Sequence, residues 1–192
     1  ATNVTNWNVK NSYIYKMGVV NQSNVIDDND QANGFANPTG GYGILIEARE
    51  GIIENVLIEN CKIENIAGGG NIFGDGICVQ GFNTNLNIIP KNIIIKDCYV
   101  SEVARHCYSV AGGGGESLGN DVKIINCFGK NAALCGVDIE DGNNVILENS
   151  NFESCGITNS YYNPNTVYGS SYNLRAGISY ANSSNYLFFT NK

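Results

Sequence analysis

The sequence predicts an all-β chain. The expected architecture is a right-handed parallel β-helix, a single-stranded solenoid of about five coils with loop insertions. Three observations predict it. A short apolar pattern recurs five times along the chain, and a second set of alternating segments interleaves with it. No segment carries a helical stripe of apolar residues of useful length.

The recurring pattern starts at Asn6, Asn55, Asn92, Asp121 and Asn144, at intervals of 49, 37, 29 and 23 residues. Each copy opens with Asn or Asp and has apolar residues at its second and fourth places. Each then has Asn or Asp at the sixth place and Cys or Ser at the seventh, as in Asn55-Val56-Leu57-Ile58-Glu59-Asn60-Cys61. The shortest interval suits one solenoid turn, and the longer ones suit a turn plus an insertion. The interleaved segments start at Gly43, Gly76, Cys107, Gly136 and Gly177. They read like Gly136-Val137-Asp138-Ile139-Glu140, again with apolar second and fourth places. That period of two marks strands with one buried face. A short third strand follows each first one. Its apolar places are Ile14, Ile63, Val100 and Phe152, with Gly129 at the fourth rung. One coil cannot bury its apolar side alone, whereas stacked coils share a continuous core.

Stacking also places the unusual residues. Cys61, Cys98 and Cys127 form one column with Ser12 and Ser150 at its ends. A small, slightly polar residue suits the inside of a tight bend, so reduced core thiols are expected rather than disulfides. With no CxxC pair and His106 as the one histidine, the spacing does not predict a structural zinc site. Asn11, Asn60, Asp97, Asn126 and Asn149 form the column before the cysteines. Asparagine tolerates left-handed backbone, and its amide bonds to the amide above. Trp7 takes an inward place where the later copies have Val56, Ile93, Val122 and Val145, which predicts core packing. Tyr186-Leu187-Phe188-Phe189 reads as the first strand of a sixth coil.

Insertions are expected near 19–40, 67–73, 82–91, 112–120 and 156–174. The first holds Asp27-Asp28-Asn29-Asp30, and the last holds Tyr161, Tyr162, Tyr168 and Tyr172. Loops on a rigid solenoid are where binding tends to reside. The Gly112–Gly115 run lacks the Lys-Ser or Lys-Thr of a phosphate loop and reads as a turn. The chain of 192 residues carries 11 basic and 18 acidic residues, for a net charge of -7. That balance argues against a nucleic-acid binder. No run of 18 apolar residues exists, so no membrane-inserting helix is expected. The polar load falls instead on 31 asparagines and 23 glycines. Met17 is the one methionine, so residues 1–192 are expected to be a β-helix domain cut from a longer chain.

Two groups of side chains suggest chemistry. Aligning the second strands puts Asp75 and His106 at one place in adjacent coils, after Tyr42 and before Cys135. Arg105 falls one residue earlier, aligned with Gly74, Leu134 and Arg175. A carboxylate beside His106 can hold its tautomer or raise its basicity. Elimination on a uronic acid needs a base for the C5 proton and a cation for the enolate-like charge. His106 or a tyrosine fits the base and Arg105 the cation. An equally available role for the Asp75–His106 pair is to tie two coils together. The second group is Asp138 and Glu140, outward on one strand with Asp141 at its end. Carboxylates two residues apart on a strand face are about 6–7 Å apart. That separation suits glycoside hydrolysis, Ca²⁺ binding or a merely solvated face.

The rung pattern resembles the pectate-lyase-like superfamily of right-handed parallel β-helix proteins over nearly the whole chain. Within it the chain looks most like the β-helix domains of bacteriophage tail spikes and appendages, or of secreted polysaccharide lyases and epimerases. That resemblance implies a bacterial surface polysaccharide as partner, a virion or extracellular location and, for the phage members, a homotrimer. The calcium-binding aspartate clusters of pectate lyases and the Asp-Pro-His-Glu motif of alginate epimerases are absent. Three readings follow: a glycan-binding or glycan-degrading tail-spike domain, a secreted lyase, epimerase or hydrolase acting alone, and a structural rod. Oligomeric state separates the first from the second, and glycan binding separates both from the third. The negative charge favours a neutral or mixed glycan over a polyuronate.

Overall fold

The computed structural model describes residues 3–17, 41–48, 51–69, 74–81, 90–112, 120–140, 142–156, 162–163, 176–181 and 187–190. The chain is a right-handed parallel β-helix of about five coils. Three parallel sheets run along its length. The first contains β1 (Val4–Lys10), β4 (Ile53–Glu59), β8 (Pro90–Lys96), β11 (Asn120–Ile125), β14 (Asn143–Glu148) and β18 (Leu187–Thr190), in that order. The second contains β2 (Tyr13–Met17), β5 (Lys62–Ile66), β9 (Tyr99–Val103), β12 (Phe128–Ala132) and β15 (Asn151–Glu153). The third contains β3 (Ile44–Ala48), β7 (Ile77–Gly81), β10 (His106–Gly112), β13 (Cys135–Glu140) and β17 (Ala176–Ala181). A small pair joins β6 (Gly68–Gly69) to β16 (Tyr162–Asn163). Among the described residues no helix is long and apolar enough to cross a membrane.

The register is the one the repeat predicts. Trp7, Val56, Ile93, Val122, Val145 and Leu187 form one column. Ile14, Ile63, Val100, Gly129 and Phe152 form another. The β18 pairing makes residues 187–190 the sixth first-sheet strand, as the tail pattern predicts. Inward isoleucines and valines such as Ile58, Ile95, Ile124, Ile63, Ile77 and Val110 are fully buried. Each contributes roughly 1.5–3 kcal/mol on burial, and no coil could gain this without its neighbours.

The bends follow from backbone chemistry. Among the described residues, fifteen non-glycine residues have positive φ, between 47° and 61°, in three columns of five. Two are the Asn/Asp columns beginning at Asn6 and Asn11. The third, Lys16, Asn65, Glu102, Asn131 and Ser154, is not visible in the sequence because three of its members are poor candidates for this backbone. Amides bond along the stack, Asn60 Nδ2 to Asn11 Oδ1 at 2.7 Å and Asn92 Nδ2 to Asn55 Oδ1 at 2.7 Å. The cysteine column has a specific use. Each thiol reaches back over the bend to the carbonyl two residues earlier: Cys61 to Glu59 at 3.4 Å, Cys98 to Lys96 at 3.2 Å and Cys127 to Ile125 at 3.3 Å. Ser12 and Ser150 donate to Lys10 O and Glu148 O in the same way. All seven cysteines are free thiols.

Tyr108 is the largest fully buried side chain. Its hydroxyl shares one hydrogen between Cys98 O at 3.0 Å and Phe128 O at 2.9 Å. Its ring meets Phe152 edge-on at 5.9 Å. Gly129 makes room for this packing, since a Cβ there would lie 2.7 Å from Phe152 and 3.0 Å from Cys107.

Trp7 departs from the expectation. It keeps its place in the inward column but is 53% exposed. β1 is the edge strand of its sheet, so the indole has a stacked neighbour on one side only among the described residues. It does not serve as core.

Candidate functional site

The third sheet gathers the ionisable residues that the sequence singled out. Its register places Ser109 opposite Asp138 and Cys78, and His106 opposite Cys135. Asp75 belongs to the same column as His106, just before β7, with Arg105 just before β10. The two groups read from the sequence therefore meet. Asp138 Oδ2 of one coil lies 3.5 Å from His106 Nε2 of the coil before it.

The bonding differs from the expected pair. Asp75 does not orient the imidazole. Its Oδ1 accepts the backbone N–H of His106 at 3.2 Å, and its Oδ2 accepts the Ser109 hydroxyl at 2.9 Å. Arg105 Nε stands 3.6 Å from Asp75 Oδ1. Asp75 thus ties two coils together and neutralises a buried guanidinium, while the imidazole turns to the next coil. A second difference concerns Asp138. The sequence placed it outward on its strand, with a solvated face as one of three readings, but it is only 8% exposed. The outward places of this sheet at Cys78, Ser109 and Asp138 are all buried, so strand alternation alone misjudges them. Glu140, at the end of the same strand, is exposed. The structure thus gives the two carboxylates different surroundings.

Burial sets the electrostatics. It lowers the basicity of His106, opposed by Asp75 and Asp138, and the net effect is a pKa below the ordinary value. Burial also works against the Arg105 charge, but Asp75 and other neighbours outweigh it, and the guanidinium stays charged. The Tyr42 hydroxyl is pushed far up, first by burial and then by Cys78 and Asp75, so it is no phenolate base near neutrality. His106 is 4% exposed and its Nδ1 is buried without a hydrogen-bond partner, as is Arg105 Nε. An orphaned buried polar atom of this kind costs about 1–3 kcal/mol. His106 can hold or move a proton here, but a polymer backbone has little access to it.

Arg175, Asp141, the acidic stretch 27–30 and Tyr161, Tyr168 and Tyr172 lie outside the described residues. Of the tyrosines in the tyrosine-rich loop only Tyr162 is described, and of it only the backbone.

Another surface, which the sequence reading did not single out, is open. The second sheet presents the outward column Tyr13, Lys62, Tyr99, Phe128 and Asn151. Tyr99 and Phe128 stack nearly parallel, 5.4 Å between centroids and 7° between planes. The Lys62 ammonium sits between Tyr13 and Tyr99, 5.3 Å and 5.6 Å from their rings. Glu64 anchors the group, pairing with Lys62 at 2.9 Å and accepting the Tyr13 hydroxyl at 2.9 Å. Tyr13 is 59% exposed and Tyr15, stacked beside it, 45%. The signal for this column was available, because all five residues stand at the first place of their third strands.

Comparison of the chain with models of known protein families, with curated proteins and with solved structures returned no significant match.

Proposed function

We propose that this β-helix binds a glycan along the open face of its second sheet. The observation that carries the reading is the stack of Tyr13, Lys62, Tyr99 and Phe128 on successive coils. Strands about 4.8 Å apart space these groups at a distance comparable with one pyranose ring. The rings cover one another's faces and Lys62 caps two of them, so the column offers a sugar its ring edges, and the Lys62–Glu64 pair adds a donor and an acceptor for hydroxyls. Tyr13 is exposed and Tyr99 and Phe128 are half-buried, and such a column on a rigid sheet is a preorganised binding surface.

The finer assignment is a domain of a bacteriophage tail spike or similar surface assembly, trimeric and extracellular or virion-borne, acting on a bacterial surface polysaccharide. It rests on the fold, the low charge and the resemblance of the rung pattern. Degradation is the second reading. Arg105, His106 and Asp75 lie close together, but Asp75 bonds to the His106 backbone and faces Arg105 rather than the imidazole, and the burial of the group favours a binding role for the chain.

A panel of bacterial surface polysaccharides tests this, with calorimetric binding, new double bonds and reducing ends followed on one sample. The expected result is saturable binding, weakened at least tenfold by Tyr13→Ala with Tyr99→Ala, and no new ends. New double bonds lost with His106→Gln would move the function to a lyase. No binding by the folded protein would leave a structural rod. A trimeric mass in solution supports the tail-spike assignment, and a monomeric mass counts against it.

A further inference from the structure

We infer that His106, Cys135 and Asp138 form a site for one divalent transition-metal ion of the Zn²⁺ type. This goes beyond the glycan reading and does not depend on it. The three side chains come from neighbouring coils, and one ligand atom from each lies within 4.8 Å of the other two. All three residues are buried. The register makes the grouping. His106 faces Cys135 directly across β10 and β13, and Asp138 stands three residues further along β13.

Metal–nitrogen, metal–oxygen and metal–sulfur bonds of about 2.0–2.3 Å at tetrahedral angles require ligand atoms about 3.4–3.6 Å apart. The His106 Nε2 to Asp138 Oδ2 separation of 3.5 Å already meets that. The other ring nitrogen, Nδ1, is buried without a hydrogen-bond partner, so no fixed acceptor there dictates the tautomer and Nε2 can present its lone pair. The donor set selects the metal. Thiolate and imidazole favour Zn²⁺, Co²⁺ or similar ions, whereas Ca²⁺ and Mg²⁺ require oxygen ligands.

Charge is consistent. A thiolate and a carboxylate offset a divalent ion, and neutral imidazole adds nothing. Among the described residues Arg105 is the cation that acts on His106, and it is already matched by Asp75 at 3.6 Å. The three residues leave one tetrahedral position for water or another ligand.

Cobalt titration of the chelator-treated, reduced chain tests the site. The expected result is one equivalent bound, with tetrahedral d–d absorption and a sulfur-to-cobalt charge-transfer band that Zn²⁺ abolishes. Cys135→Ser removes the charge-transfer band, while Cys78→Ser and Cys155→Ser keep it. His106→Gln and Asp138→Asn each weaken binding at least about tenfold, with far-UV circular dichroism confirming that each variant is folded. The inference is overturned by no saturable binding to the folded wild-type chain, or by a band that survives Cys135→Ser. If Cys135→Ser does not fold, undiminished cobalt affinity in both His106→Gln and Asp138→Asn overturns it.

Discussion

Asp75 accepts the Ser109 hydroxyl of the following coil at 2.9 Å while it faces the Arg105 guanidinium at 3.6 Å. One carboxylate thus serves a neighbouring strand and a buried charge. Replacing it by alanine takes from Arg105 its paired carboxylate and leaves the His106 N–H and the Ser109 hydroxyl without their acceptor. Asp75→Ala is expected to cost about 3–5 kcal/mol in denaturant unfolding. Asp75→Asn keeps an acceptor and should cost less. Equal losses for the two would mean that the charge carries the whole effect and the hydrogen-bond acceptor adds nothing.

Two glycines at the same rung position make a matched pair. A Cβ on Gly76 would lie 2.2 Å from Val100 Cγ1 and 2.6 Å from Cys107 O, whereas one on Gly177 meets nothing within 4 Å. Gly76→Ala should destabilise by about 1–3 kcal/mol through overpacking. Gly177→Ala should stay within about 0.5 kcal/mol of wild type. Thermal unfolding of the two variants side by side decides it, and a tolerated Gly76→Ala would place the coil contact wrongly.

Lys10 and Lys96 clasp Glu59 from the coils on either side, at 2.8 Å and 2.5 Å. Their hydrogen bonds hold its carboxyl below the ordinary value of 4.5. Because the folded pKa is depressed, this contribution is fully present above about pH 4.5 and is lost as the pH falls through the folded value. The melting temperatures of wild type and Glu59→Gln should therefore differ slightly at pH 7 and converge once the pH has fallen through the folded value. The difference should shrink in molar salt. A gap that persists in acid would rule out the ion pairs as its source.

Cys155 is the one half-exposed thiol among the seven. Hydrogen bonding from Cys107 outweighs its partial burial and lowers its pKa to about 7. The thiolate fraction therefore rises through pH 7, and alkylation should follow the same curve. Mass mapping after brief iodoacetamide treatment should find Cys155 labelled first. Cys107→Ala should shift the rate profile to higher pH, and an unchanged profile would remove Cys107 as the cause.

Much of this fold is legible in the sequence because a solenoid repeats its register. Once Asn6, Asn55, Asn92, Asp121 and Asn144 are aligned, every inward position follows. The third bend is not legible, since Lys16 and Glu102 take left-handed backbone without the asparagine that advertises it. The candidate site is legible in part. Alignment brings Asp75, Arg105 and His106 together, but which atom bonds to which depends on side-chain direction at a corner. Alternation also made Asp138 a surface residue, because the pattern of one strand carries no information on what covers the sheet. The outward aromatic column was missed for a simpler reason. Its members are 49, 37, 29 and 23 residues apart, and a reading of loops looks past single residues in strands.

The most direct test of the glycan-binding face is a calorimetric isotherm with a polysaccharide bound by the wild-type chain, repeated with Tyr99→Ala and with Lys10→Ala. Tyr99 lies on the second sheet and Lys10 on the first, so each variant removes one long side chain from a different face. Binding through the aromatic column predicts an affinity loss of at least tenfold for Tyr99→Ala and none for Lys10→Ala. Unchanged affinity in a folded Tyr99→Ala chain would contradict it.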